Sequence, residues 1–182
     1  MRFCVVSDTH RHRHELLQVV KASQPLDAVI HAGDETSDVQ WLAAKVDWPI
    51  YAVAGNWDRP TRQYPAEVLL RQYGPTILVT HGHTQGVKDG VQGLLGRALD
   101  CGADIVIFGH THQAMSQVAS GKLFINPGSL AQPRGRTERT YALLDITPLE
   151  QEHKCEVRVA HFTLQGESLA DLIVTVHFLT TD

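Results

Sequence analysis

Five short stretches of the sequence carry residue types that bind divalent metals, and each stands at the end of an apolar run. Val5-Val6-Ser7 leads into Asp8-Thr9-His10, and Ala28 to Gly33 leads into Asp34. Ile50 to Ala54 leads into Gly55-Asn56-Trp57-Asp58. Ile77 to Thr80 leads into His81-Gly82-His83, and Ile105 to Phe108 into Gly109-His110-Thr111-His112. An apolar run that ends this way reads as a buried strand opening into a loop. Each stretch alone is weak, because an aspartate after glycine commonly serves a turn and a lone loop histidine has no special meaning. All five together read as one metal site assembled along one edge of a sheet.

Carboxylates, imidazoles and a carboxamide, with no thiolate, suit borderline or hard divalent ions: Mn²⁺, Zn²⁺, Fe²⁺, Ni²⁺ or Mg²⁺. The candidate donors are Asp8, His10, Asp34, Asn56, His81, His110 and His112. Seven is too many for one ion that must also leave room for substrate. Two ions sharing a bridging carboxylate would use all of them. Ions ~3.5–4 Å apart can clamp an in-line displacement at phosphorus and acidify a shared water. The chemistry to expect is hydrolysis of a phosphoester.

The elements that must position these donors are legible from periodicity. Strands are expected at 2–7, 27–32 and 50–54, with helices at 12–22 and 37–46 between them, the second capped by Ser37 or Asp38. That alternation implies a largely parallel sheet. Residues 67–73 and 75–80 flank Gly74-Pro75 and suggest a hairpin. A helix over 88–100 and a strand over 104–108 follow. Short antiparallel runs are expected at 114–119, 122–125, 139–146 and 155–164, around a polar stretch from Glu150 to Glu156. Residues 167–176 fit a helix or a further strand equally well.

The bulk composition narrows the class. A chain of 182 residues with 43% hydrophobic content reads as a single domain spanning 1–182. Net charge is −4 with no basic run, which gives no broad nucleic-acid-binding surface. No stretch is apolar and long enough to span a bilayer, and the chain opens without a signal-like segment. Cys4, Cys101 and Cys155 are odd in number and widely spaced, so they read as reduced thiols of a cytoplasmic protein. Eleven histidines are many for this length. His31 lies inside an apolar run and reads as a core histidine. His83 reads either as a hydrogen-bonding neighbour of the site or as a backbone contact. His12, His14, His153, His161 and His177 read as surface or strand residues.

The ordered set Asp-x-His, Gly-Asp, Gly-Asn-x-Asp, His-Gly-His and Gly-His-x-His resembles the calcineurin-like metallophosphoesterase superfamily. The small size, the Gly-Asn-x-Asp form and the string Asn126-Pro127-Gly128-Ser129 resemble its compact bacterial and archaeal phosphodiesterase group. The resemblance covers about residues 3–146. It implies a four-layer α/β/β/α sandwich of mixed sheets flanked by helices, with a dinuclear metal site at strand C-terminal ends. It implies that Asp8, His10, Asp34 and His112 hold one ion and that Asp34, Asn56, His81 and His110 hold the other, with Asp34 bridging. Asp34, Asn56 and His110 would then act through a metal-bound hydroxide. Asp58, read from the residues themselves, either orients His10 or a neighbouring ligand from behind or is a turn residue. Two divalent ions are implied, manganese foremost, with nickel, zinc, iron or magnesium as alternatives. The partner implied is a small or nucleotide-like phosphodiester, and the assembly a homo-oligomer, dimer or tetramer.

Two departures bear on substrate. Many members of the superfamily carry histidine directly after the asparagine, where it assists the leaving group; here that place is Trp57, whose bulk would narrow the pocket or stack on a substrate ring. Without that histidine, diesters and good leaving groups are favoured over unactivated monoesters. Arg11 stands where the compact group usually has glycine, and either neutralises a substrate phosphate or points to solvent. Asn126 to Ser129 reads most simply as a tight turn; its functional reading, Ser129 with Arg134, is a loop at the mouth that meets a phosphate. Two alternatives compete with the phosphodiesterase. One is a phosphomonoesterase or pyrophosphohydrolase on the same site. The other is a non-catalytic binding module like the eukaryotic retromer subunit of this fold, which the complete set of seven donors argues against.

Overall fold

The computed structural model describes residues 1–149 and 153–179. Residues 150–152 of the polar stretch at Glu150 to Glu156 lie outside it. The chain runs β1 (Arg2–Val6), α1 (Arg13–Ala22), β2 (Ala28–His31), α2 (Thr36–Ala43), β3 (Ile50–Ala52), β4 (Glu67–Leu70), β5 (Ile77–Thr80), α3 (Gln92–Cys101), β6 (Ile105–Ile107), β7 (Met115–Ala119), β8 (Lys122–Asn126), β9 (Thr140–Leu149), β10 (Lys154–Thr163) and β11 (Ser168–Leu179). Two mixed sheets form, in the orders β11-β10-β9-β1-β2-β3 and β4-β5-β6-β8-β7.

Strand periodicity builds the layers. Successive side chains on a strand point to opposite faces. Phe3, Val5 and Ile30 of the first sheet meet Ile77, Val79, Ile105, Ile107, Leu123 and Ile125 of the second in a core between the sheets. The intervening Cys4, Val6 and Val29 face outward onto Leu16, Val19 and Val20 of α1 and Leu42 of α2. In the second sheet the intervening Leu78, Val106 and Phe124 face Leu94 and Ala98 of α3. The result is the expected four-layer α/β/β/α sandwich. Each fully buried aliphatic side chain contributes about 1.5–3 kcal/mol to holding it.

The placement of the strand-end loops depends on which strands run parallel. β1, β2 and β3 are parallel neighbours. So are β5 and β6. The C-terminal ends of these five strands meet at one rim of the sandwich. The hairpin of β4 and β5 pairs Leu70 with Ile77.

Several boundaries differ from expectation for physical reasons. Helix α3 starts at Gln92 rather than 88, because residues 83–90 turn through Gly86 and Gly90 at φ of 65° and 123°. Neither Ser37 nor Asp38 caps α2. Its first turn is reached from another loop: Asp58 Oδ1 accepts from the backbone N–H and the hydroxyl of Thr36, each at 2.8 Å. Asp38 instead accepts the Arg11 N–H at 2.8 Å. Residues 168–179 form a strand, paired antiparallel to β10. All three cysteines are free thiols.

Two histidines away from the strand-end loops sit in the core. His31 is buried between the Thr9 hydroxyl (3.2 Å) and the Gly33 N–H, which donates to its Nδ1 (3.2 Å). His161 is fully buried on β10 and donates from Nε2 to the Asn126 carbonyl at 2.8 Å. Burial pushes each down to about 4. For His161 the smaller influences of Arg136 and Asp171 oppose one another. The unfolded chain takes up these protons near pH 6.5, whereas the folded chain resists until about pH 4. The stabilisation is therefore complete above pH 6.5 and is lost as pH falls toward 4. Denaturant titrations at pH 7, 5.5 and 4.5 should show this loss. His161→Gln should reduce the slope by about one proton, or ~1.4 kcal/mol per pH unit. An unchanged slope would mean that His161 is not buried neutral.

Candidate metal centre

The seven donors arrive from five loops. Asp8 and His10 follow β1, Asp34 follows β2, Asn56 follows β3, His81 follows β5, and His110 and His112 follow β6. Asp8, His10, Asp34 and His112 each offer one atom to a group lying within 4.8 Å of one another. Within it, His112 Nε2 lies 3.1 Å from Asp8 Oδ1 and 3.3 Å from His10 Nε2. Asn56, His81 and His110 form a second group around Asp34. Asn56 Oδ1 lies 3.1 Å from His81 Nε2 and 2.8 Å from His110 Nδ1. Asp34 faces both groups, with Oδ1 3.3 Å from His81 Nε2 and Oδ2 3.9 Å from His10 Nε2.

The backbone supports this convergence in an unusual way. Asp8, His10, Asp34, His110 and His112 all have positive φ, between 37° and 66°. Residues with a Cβ avoid this region, and such strain concentrates at functional sites. The motif glycines make room for the donors. A Cβ on Gly33 would stand 2.6 Å from His81 Nδ1. One on Gly55 would strike the Asp34 carboxylate, and one on Gly109 would strike Ser7 Oγ and stand 2.7 Å from Asp8 Oδ2.

Hydrogen bonds behind the donors fix their free atoms. His81 Nδ1 donates to the Ala32 carbonyl and His112 Nδ1 to the Gln132 carbonyl, both at 2.8 Å. Each ring therefore turns Nε2 toward the site, the arrangement that metal-binding histidines use. Asp8 Oδ2 accepts from Ser7 Oγ (2.6 Å) and the His110 N–H (3.1 Å). Asp8 Oδ1 is buried without a hydrogen-bond partner. An orphaned buried carboxylate oxygen beside imidazole nitrogens is what a cation would satisfy. The residues present therefore fit a divalent metal.

Electrostatics agree. Burial draws His81 down, but Asp34 and Asp8 more than offset this and raise it above its ordinary value. His112 is likewise raised by Asp8 against the effect of burial. Burial works to raise Asp34, yet His81, the Trp57 N–H and His10 hold it low. His110 and His83 are lowered, by burial first and then by His81. The Asp34 carboxyl is thus held below its ordinary range chiefly by His81, against the opposing effect of burial.

The other expected site residues take varied places. Asp58 Oδ2 accepts the Gly55 N–H at 2.9 Å while Oδ1 holds Thr36, so it pins the Asn56 loop to α2. Trp57 is 73% exposed, stands edge-on to His10 with 5.4 Å between ring centroids, and donates its backbone N–H to Asp34 Oδ1 at 3.1 Å. Trp57 and Arg134 line a cavity of about 220 Å³ together with His10, Asp34, Asn56, His110 and His112. Arg11 does not line it. Its φ of 69° turns it to a neighbouring cavity with Arg13, His14 and Glu35, where its side chain is 87% exposed. Ser129 is buried, contrary to the expected phosphate contact. Its hydroxyl donates to the Asp8 carbonyl at 2.8 Å and accepts from the N–H groups of Ala131 and Gln132. Asn126 braces the His-x-His loop, donating to the Gly109 carbonyl (2.9 Å) and Thr111 Oγ1 (3.0 Å). Two further wall residues, Lys88 and Gln132, carry no motif signal in the sequence.

Gly55→Ala, with its fold checked by circular dichroism, should bind metal poorly, because the methyl group meets both the carboxylate and the backbone nitrogen of Asp34. A loss of about 10–100-fold in affinity is expected by calorimetric titration with Mn²⁺. Gly96→Ala, where a Cβ on α3 meets nothing within 4 Å, is the control and should leave affinity unchanged. Wild-type affinity in Gly55→Ala would remove Asp34 from the metal site.

The comparisons with known proteins agree with this geometry. The Calcineurin-like phosphoesterase superfamily domain matches residues 1–148. The probable metallophosphoesterase YsnB of Bacillus subtilis (strain 168) is 38% identical over 147 residues, covering 80% of this chain and 85% of that protein. A phosphodiesterase of Methanocaldococcus jannaschii is 28% identical over 149 residues, 70% of this chain and 83% of that one. The crystal structure of a predicted phosphoesterase from Streptococcus pneumoniae TIGR4 superposes with a TM-score of 0.77 at 27% identity, over 97% of each chain. With its five strand-end motifs gathered at one rim, this chain belongs to the calcineurin-like phosphoesterase superfamily and is a hydrolase of phosphoric esters.

Proposed function

We propose that the protein is a metal-dependent phosphodiesterase that hydrolyses a small or nucleotide-like diester at a two-metal centre. The observation that carries this reading is the position of Asp34, whose two carboxylate oxygens face different groups of donors. Asp8, His10, Asp34 and His112 would hold one ion, and Asp34, Asn56, His81 and His110 the other. The oxygen and nitrogen donors suit manganese first, and nickel, zinc, iron or magnesium as well. When bound, such a pair polarises phosphoryl oxygens and lowers the pKa of water.

The chain's own residues do the rest. His81 and His112 are fixed in orientation by backbone carbonyls, so the site is organised before substrate arrives. Lys88 and Arg134 place positive charge on the cavity wall, where it attracts a phosphate anion. Every imidazole lining the cavity belongs to the donor set, and Trp57 stands where an assisting histidine would be. That favours diesters with good leaving groups over monoesters. We assign the chain, as one domain, to the cytoplasm. Three free thiols support that compartment. Among the described residues, no helix is long and apolar enough to cross a membrane.

The test is metal-stripped protein reloaded in turn with Mn²⁺, Ni²⁺, Zn²⁺ or Mg²⁺ and assayed on bis(p-nitrophenyl) phosphate and p-nitrophenyl phosphate. Metal-restored turnover mainly of the diester is expected. A preference for the monoester would replace this reading with a phosphomonoesterase. No turnover with two ions bound would favour a binding module. Asp34→Asn should lose most activity, on the order of 100-fold or more, together with metal content. Trp57→Ala should change the diester-to-monoester ratio and leave metal content intact; an unchanged ratio would make Trp57 a bystander.

A further inference from the structure

A second cavity adjoins the metal cavity. It measures about 260 Å³ and shares Lys88 with its neighbour. The two are built from alternate residues of one loop: His110 and His112 line the metal cavity, and Thr111 and Gln113 line the second. Their chemistry differs. The metal cavity is walled mainly by charged and polar groups. The second is floored by Val87, Val91, Phe108 and Met115, which belong to the apolar cluster that packs α3 on the second sheet. Amide and hydroxyl groups of Gln113, Gln117 and Thr111 stand among the apolar ones. A chamber with an apolar floor and a polar rim, beside an anion site and sharing a cation with it, fits the organic arm of an anionic ester.

The geometry points to a subsite that receives one apolar or aromatic ester arm of the substrate, while the phosphoryl group lies in the metal cavity. This rests on the phosphodiesterase reading above. Lys88 serves both halves. It lines both cavities, so one long side chain offers its charge on one side and its methylene stem on the other. Met115 is a lining that adapts to rings of different shape. The volume falls below the ~300–1,000 Å³ typical of drug-sized ligands, so one ring or a short chain fits better than a whole nucleotide. The subsite gives the protein a selectivity for the substrate's arm that metal ligation alone does not.

Non-hydrolysable phosphonates test this by binding alone. The probes are methylphosphonate and phenylphosphonate, titrated calorimetrically into protein loaded with Mn²⁺. Phenylphosphonate should bind about tenfold more tightly, the effect of burying much of one ring. Met115→Trp, which fills the chamber, should abolish the phenyl advantage and leave methylphosphonate affinity unchanged. Gln117→Trp at the exposed rim is the alternative filling variant should Met115→Trp melt early. Lys88→Met keeps the stem and removes the charge, so it should weaken both phosphonates by the same factor. Equal affinities of the two probes in the wild type, or a phenyl advantage that survives both filling variants, would overturn the subsite while leaving the metal centre standing. Failure of methylphosphonate to bind protein that holds two ions would overturn the underlying phosphoesterase site as well.

Discussion

Left-handed backbone at the strand ends is the constraint on which the rest of the molecule depends. Five of the seven donors sit at positive φ, and so do their neighbours Arg11 and Glu35. Each such residue costs about 1–3 kcal/mol where nothing else holds it. Here the strands below are buried on both faces, and the loops have no slack to relax. Gly33, Gly55 and Gly109 let three strand ends approach until donor touches donor. The hydrogen bonds of Ser129, Asn126 and Asp58 then hold the loops from behind. The core and the site are therefore one problem: the sandwich is the frame that keeps strained loops from unwinding.

This explains what could be read in the sequence and what could not. The strands were legible because consecutive residues such as Phe3, Cys4, Val5 and Val6 are all apolar, as a strand buried on both faces requires. The candidate donors were legible as a set because metal chemistry demands particular side chains, and these stand at strand ends. Orientation was not legible. Arg11 is the residue after His10, yet its backbone turns it into a different cavity. Ser129 belongs to a string with the appearance of a mouth loop, but its hydroxyl is consumed in holding Asp8. Lys88 and Gln132 reach the cavity from loops whose paths depend on tertiary packing. The last strand was ambiguous because Leu169, Leu172, Ile173 and Val176 fit a helical face by coincidence. From Leu172 onward the true pattern is alternation, with Val174, Val176 and Phe178 on the core side.

The same logic explains why the cap of α2 was missed. A Ser or Asp beside a helix start is the usual local cap. Here Asp58, brought from the loop after β3, satisfies Thr36 instead. The helix start is thereby tied to the loop that carries Asn56. A residue that looks like a turn former in the sequence is thus a link between secondary structure and site geometry.

The donors divide unevenly between the two layers of the sandwich. Asp8, His10, Asp34 and Asn56 hang from the six-stranded sheet, and His81, His110 and His112 from the five-stranded one. Each group of donors draws on both layers, so cations seated there would rivet the sheets together along one rim. A bound ion adds stability in proportion to the logarithm of its concentration over its dissociation constant. That gain would be local to this rim. Loading with metal would thus set the order in which the sandwich comes apart: the opposite edges of the sheets would exchange their amide protons first, and the active-site rim last.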